Sequence, residues 1–110
     1  MNIKLLPIIT ILILSSISLT LNAAPLFEIN IQNHLFYPDE LVIPADTKVK
    51  LVINNKDDSA EEFESYELNR EKVIPGHSSG VIFIGPLPAG SYPFFGEFFP
   101  KTAQGKIIVK

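Results

Sequence analysis

Nine prolines and six glycines punctuate this 110-residue chain, and from residue 25 onward they separate short pieces in which apolar residues recur at every second position. Period two marks a strand with one buried face, because successive side chains on an extended backbone point to opposite sides. Phe27, Ile29 and Ile31 alternate with Glu28, Asn30 and Gln32. Leu41 and Ile43 predict a second short strand, and Val49, Leu51 and Ile53 a third that ends at Asn54-Asn55. Residues 80–84, 91–95 and 107–109 read the same way, and 63–68 and 72–74 more weakly. The stretch 68–70 fits either an extended segment or a single helical turn. Pro44-Ala45-Asp46-Thr47, Pro75-Gly76 and Leu87-Pro88-Ala89-Gly90 supply turns. Most of the prolines sit at segment ends, where a missing N–H costs least. Seven to eight short strands at this spacing predict an all-β fold, a β-sandwich or small Greek-key barrel.

The first residues stand apart. Residues 1–23 carry one charge, Lys4, then an apolar run from Leu5 that ends at Asn22-Ala23-Ala24. This is the pattern of a secretory signal peptide. Cleavage after Ala23 avoids leaving Pro25 at the first mature position, which makes 24–110 the folded domain and the periplasm its expected location. The competing reading is an uncleaved anchor, but residues 5–21, broken by Pro7, are at the lower limit for a span.

Composition removes further classes. The chain has no cysteine, so disulfide scaffolds, thiolate nucleophiles, zinc–thiolate sites and iron–sulfur clusters are excluded. A net charge of −3 makes nucleic acid an unsuitable partner. A domain this small buries only about 60% of its unfolded surface, so its eight phenylalanines and its Val/Ile/Leu faces must supply the core. Phe27, Phe83 and Phe94 are the expected core aromatics.

Counting strands places the loops. If each strand carries the chain from one end of the sandwich to the other, the loops at 33–39, 56–62, 75–78 and 96–104 gather at one end. The count takes strands 80–84 and 91–95 as a hairpin turning at 86–90 at the opposite end. His34, the acidic run 57–62, His77 and Glu97 then converge. Such loop clusters on a rigid scaffold are where sites are built.

Chemistry concentrates at that end. Asp57, Asp58, Glu61, Glu62, Glu64 and Glu67 place six carboxylates in eleven residues without an intervening base. Charges this dense repel unless solvated or neutralised by a cation. Carboxylate oxygen suits hard cations, and imidazole adds affinity for iron, copper or zinc. On a strand, Glu62 and Glu64 share one face, while Glu61 shares the other with Phe63 and Ser65. The candidate metal ligands are Glu61, Glu62, Glu64, Glu97 and His77, with His34 as a further nitrogen donor. The alternatives are a solvated acidic loop and a histidine that merely belongs to a turn. His77-Ser78-Ser79 offers a base beside a hydroxyl but no orienting acid or oxyanion loop, so no catalytic residue is assigned.

Taken in order, Phe36-Tyr37-Pro38, Ile43-Pro44-Ala45-Asp46-Thr47, Asn54-Asn55, Pro75-Gly76, Gly90-Ser91-Tyr92-Pro93-Phe94 and Gly105-Lys106-Ile107-Ile108-Val109 resemble the cupredoxin family. The resemblance spans residues 26–110 and implies a cupredoxin-like Greek-key β-sandwich. It also implies where a blue-copper member would hold its metal: near Glu61, Gly96, Phe99 and Ala103. None of these keeps the copper ligand, and a type 1 site needs a His₂Cys set, so a blue electron carrier is excluded. Glu61-Glu62-Phe63-Glu64-Ser65, Phe95-Gly96-Glu97-Phe98 and Thr102-Ala103-Gln104-Gly105 look more like the EfeO-type cupredoxin-like domain. That subgroup occurs in exported bacterial proteins associated with ferrous-iron permeases. It replaces the blue-copper set with carboxylates, and many members carry His where Phe99 stands here. The resemblance implies an exported metal-binding protein for iron transport. It would hold iron, or copper as an accessory ion, and serve an inner-membrane iron permease or a companion periplasmic iron-binding protein. Any activity would be copper-assisted oxidation of ferrous iron. The alternative is a metal-free interaction module of an envelope complex, using Phe95, Phe98 and Phe99 as an exposed aromatic cluster.

Overall fold

The computed structural model describes residues 23–110 together with the isolated positions Lys4, Pro7, Thr10, Ile11 and Ile13. The expected signal sequence therefore lies almost wholly outside the described residues. The rest is all-β, with nine strands and no helix among the described residues: β1 (Leu26–Gln32), β2 (Leu35–Tyr37), β3 (Glu40–Ile43), β4 (Val49–Asn55), β5 (Glu61–Ser65), β6 (Arg70–Ile74), β7 (Ser79–Ile84), β8 (Gly90–Gly96) and β9 (Gln104–Val109).

They form two sheets, one in the order β2-β1-β4-β7 and the other β3-β9-β8-β5-β6. β1 runs parallel to β4, and β3 parallel to β9; the remaining ladders are antiparallel. Alternation decides what each strand buries. Ile29 and Ile31, Leu51 and Ile53, and Ile82 and Ile84 face inward from the first sheet, and Phe63, Phe94, Ile107 and Val109 from the second. Phe36, Phe63 and Phe94 meet at the centre: the Phe94 ring lies 4.9 Å from each of the other two. Edge-to-face and offset contacts of this kind add to what burial alone provides.

Three expectations are corrected. Residues 33–39, read as a loop, contain β2: Asn33 and His34 adopt φ of 52° and 59° and pair Gln32 with Leu35 in a two-residue hairpin turn. Strands β7 and β8 are not a hairpin. They lie in different sheets, and the residues between them cross from one layer to the other. Phe83 is not core; it is 44% exposed on the outer side of edge strand β7, with the Lys48 ammonium 5.0 Å from its ring centroid. The inward positions of that strand belong to Ile82 and Ile84. Of the segment 68–70, Leu68 and Asn69 belong to the tight β5–β6 connection, where the Asn69 amide bonds to the Tyr66 carbonyl and Ser65 Oγ accepts from the Leu68 amide, and Arg70 opens β6.

Candidate functional site

The β1–β2 turn, the loop after β4, the β6–β7 turn and the loop after β8 meet at one end of the sandwich. Asn55, buried at the end of β4, organises them. Its side-chain amide donates to the carbonyls of Ser59 and Ile74 at 2.9 and 3.1 Å, and its Oδ1 accepts from the Asp57 amide. Asp57 then caps the neighbouring turn, its carboxylate accepting from the amides of Asn33 and His34 at 2.7 and 3.0 Å. Burial pushes this carboxyl up, but those two donors and the charges of His34 and His77 outweigh it and hold Asp57 below the usual 3.8. His77 donates its amide to the Asp57 carbonyl and pairs through its ring with Asp58. Gly76 is obligatory in this turn, because a Cβ there would stand 2.0 Å from the Asp58 carbonyl oxygen. The His34 ring stacks on Phe99, with centroids 3.6 Å apart.

Strand β5 distributes its carboxylates over two faces. Glu62 and Glu64 point away from the core, where the β5–β6 ladder sets Glu64 directly opposite Glu71. One carboxylate oxygen from each of Glu62, Glu64 and Glu71 lies within 4.8 Å of the others. Burial, the charges of Glu71 and Glu62, a hydrogen bond with Glu71 and the charge of Glu97 push the Glu64 carboxyl above its ordinary 4.5. The Glu97 amide donates to the Glu62 carbonyl at 2.9 Å, which keeps that residue beside the cluster. Of the five ligands expected from sequence, the structure thus groups Glu62 and Glu64 and places Glu97 nearby. Glu61 lies on the opposite face of β5, and His77 is engaged with Asp58. Glu71, the third member of the group, is not legible in the sequence, because nothing there reveals it until the β5–β6 register is known.

Glu61 is 1% exposed. Its Oε1 accepts from the amides of Glu62 at 2.9 Å and Phe98 at 3.0 Å, while Oε2 has no hydrogen-bond partner among the described residues. A Cβ on Gly96 would stand 2.5 Å from Glu61 Cδ and 2.7 Å from the Ala103 methyl group. The Gly96 amide bonds to the Ala103 carbonyl, and the Ala103 amide to the Phe99 carbonyl. Of the four positions that the resemblance assigns to blue-copper ligands, Glu61, Gly96 and Ala103 therefore meet, and Phe99 joins them through its carbonyl while its ring stacks on His34; they bring one carboxylate and no His or Cys. That set does not fit type 1 copper.

The family profile described as a cupredoxin-like domain matches residues 4–109. This chain is a member of the cupredoxin-like family. This cupredoxin-like chain is also 48% identical, over 82 residues, to the protein RP394 of Rickettsia prowazekii (strain Madrid E). That match covers 74% of this chain and 66% of the relative, so it spans just under two thirds of the relative's length. Among solved structures, a copper-binding protein in its apo form superposes with a TM-score of 0.70 at 20% identity, over 81% of this chain and 90% of the other. The metal-binding domain of a Streptococcus pneumoniae Cu(I)-exporting P-type ATPase, CopA, gives 0.65 at 15%, over 77% and 84%. Amicyanin from Paracoccus versutus gives 0.62 at 18%, over 81% and 85%. At these identities the structural likeness is one of fold.

Proposed function

We propose that this cupredoxin-like domain is an exported, EfeO-type metal-handling protein. Its cargo is a hard cation, iron above all, carried on the outer carboxylate face of β5 and β6 and presented in the periplasm to an inner-membrane iron permease or a companion iron-binding protein. The observation that carries the reading is the approach of Glu62, Glu64 and Glu71 to within 4.8 Å of one another. Three anionic oxygens at that separation repel, and a shared cation reverses the sign of the interaction. Glu97 adds charge at the rim. Two of the structural relatives are described as a copper-binding protein and a metal-binding domain, which supports metal handling as the reading here. The carboxylate set directs the choice here toward oxygen-seeking ions. Elemental analysis of the protein purified from its native envelope tests this. Stoichiometric iron supports the proposal, and a metal-free protein contradicts it.

A second reading has its own observation. Phe98 is 48% exposed beside a recess of about 370 Å³ lined with His34, Phe99, Pro100, Lys101 and Thr102. A metal-free interaction module would use this tip. The three-ring cluster expected there is reduced, because Phe95 is half-buried against Tyr66 and Phe99 is half-buried under His34. A metal-free protein that co-purifies with a permease would favour this reading.

A further inference from the structure

We propose that Glu61 is the mechanical tie at this end of the sandwich: it holds the loop after β8 to strand β5, and Gly96 provides the space in which it sits. The inference can fail while the cation reading stands, because the carboxylates of that reading lie on the other face of β5.

A buried carboxylate is expensive unless its oxygens are engaged. Glu61 is engaged on one side only, and the two donors it holds lie far from each other in the chain. One is the next amide on β5, that of Glu62, and the other is the amide of Phe98, 37 residues away. A single oxygen thus joins β5 to the loop after β8, beside the ladder contacts of Phe63 with Gly96 and Glu64 with Phe95 and the Glu97-to-Glu62 backbone bond. Oε2 and Cδ fill the volume that any side chain at position 96 would need. A large residue at 61 and the smallest possible one at 96 are therefore complementary. Together they close the space in which a ligand set would otherwise surround an ion. The tie reaches the outer face as well. Glu62 donates its amide to Glu61, and its carbonyl accepts from the Glu97 amide, so Glu61 is a positioning residue for both.

Amide hydrogen exchange, read residue by residue, tests this on the intact domain and on variants. In the unaltered protein the Phe98 amide should exchange at least about tenfold more slowly than that of Lys101 in the same loop. Glu61→Gln keeps an acceptor oxygen and should keep most of that protection. Glu61→Ala should lose it while the Ile53 amide in the core remains protected. Gly96→Ala should lower the folded-to-unfolded ratio roughly five- to thirty-fold in the Glu61 protein, and clearly less when combined with Glu61→Ala. Equal rates at Phe98 and Lys101 in the unaltered protein would overturn the proposal. So would an equal cost of Gly96→Ala in both backgrounds, or loss of iron binding in Glu61→Ala with Phe98 exchange unchanged. That last result would make Glu61 a ligand rather than a tie.

Discussion

Glu64 and Glu71 stand directly opposite each other on the β5–β6 ladder, and Glu62, two residues earlier on β5, completes a group whose oxygens lie within 4.8 Å of one another. Like charges placed opposite each other on a sheet destabilise it. The Glu64 carboxyl is accordingly raised above 4.5 by burial and by its acidic neighbours. A carboxyl whose folded value is raised contributes stability below its unfolded value and loses that contribution as pH rises through the folded value. With chelator present at neutral pH, Glu71→Gln should therefore raise the thermal midpoint and flatten the fall in stability above pH 4.5. Scanning calorimetry reads both; an unchanged or lower midpoint would show that the repulsion is not felt.

Asp57 has the opposite sign. Burial raises its carboxyl, the amides of His34 and Asn33 and the two histidine charges lower it, and the net shift is downward from 3.8. Its contribution is present above that value and is lost as pH falls through the lower folded value. Asp57→Ala removes the acceptor for two turn amides and should cost about 1–2 kcal/mol at neutral pH, with the difference from the unaltered protein shrinking in acid. Urea denaturation at several pH values checks it.

Asn55 satisfies carbonyls from two other segments with one side chain. Asn55→Ala leaves these and the Asp57 amide without their partner in a buried setting and should cost about 2–4 kcal/mol. Faster amide exchange at Asp57 and His77 should accompany the loss, since both amides belong to the same network.

Phe94 touches both other core rings, and a Cβ on Gly105 would lie 2.4 Å from its Cζ. Phe94→Ala should cost about 3–5 kcal/mol. In a domain of this size that is a large share of the total stability. Near-ultraviolet circular dichroism would show the loss of fixed aromatic packing at ambient temperature.

The period-two pattern made the sandwich legible because half-burial of a strand writes itself directly into alternation. What alternation leaves out is the partner of each strand. Nothing in residues 80–95 says that β7 pairs with β4 while β8 pairs with β5 and β9, so two strands in different sheets looked like a hairpin. β2 escaped notice because Asn33-His34 makes its turn without glycine. The opposite faces of Glu61 and Glu62 were readable from parity alone. Glu71 was not, because its approach to Glu64 depends on the length of the 66–69 turn. Gly96 became meaningful only when the Glu61 carboxylate was seen against it.

The central claim is that the outer carboxylates of β5 and β6 hold a hard cation. Anaerobic calorimetric titration of the domain with Fe²⁺ addresses it, alongside the double variant Glu62→Gln, Glu64→Gln. The expected result is saturable binding of one ion with roughly micromolar affinity (−8.2 kcal/mol at 1 μM), lost in the double variant while its circular dichroism spectrum is unchanged. A flat titration of the unaltered domain, or equal affinity in the variant, would contradict the claim.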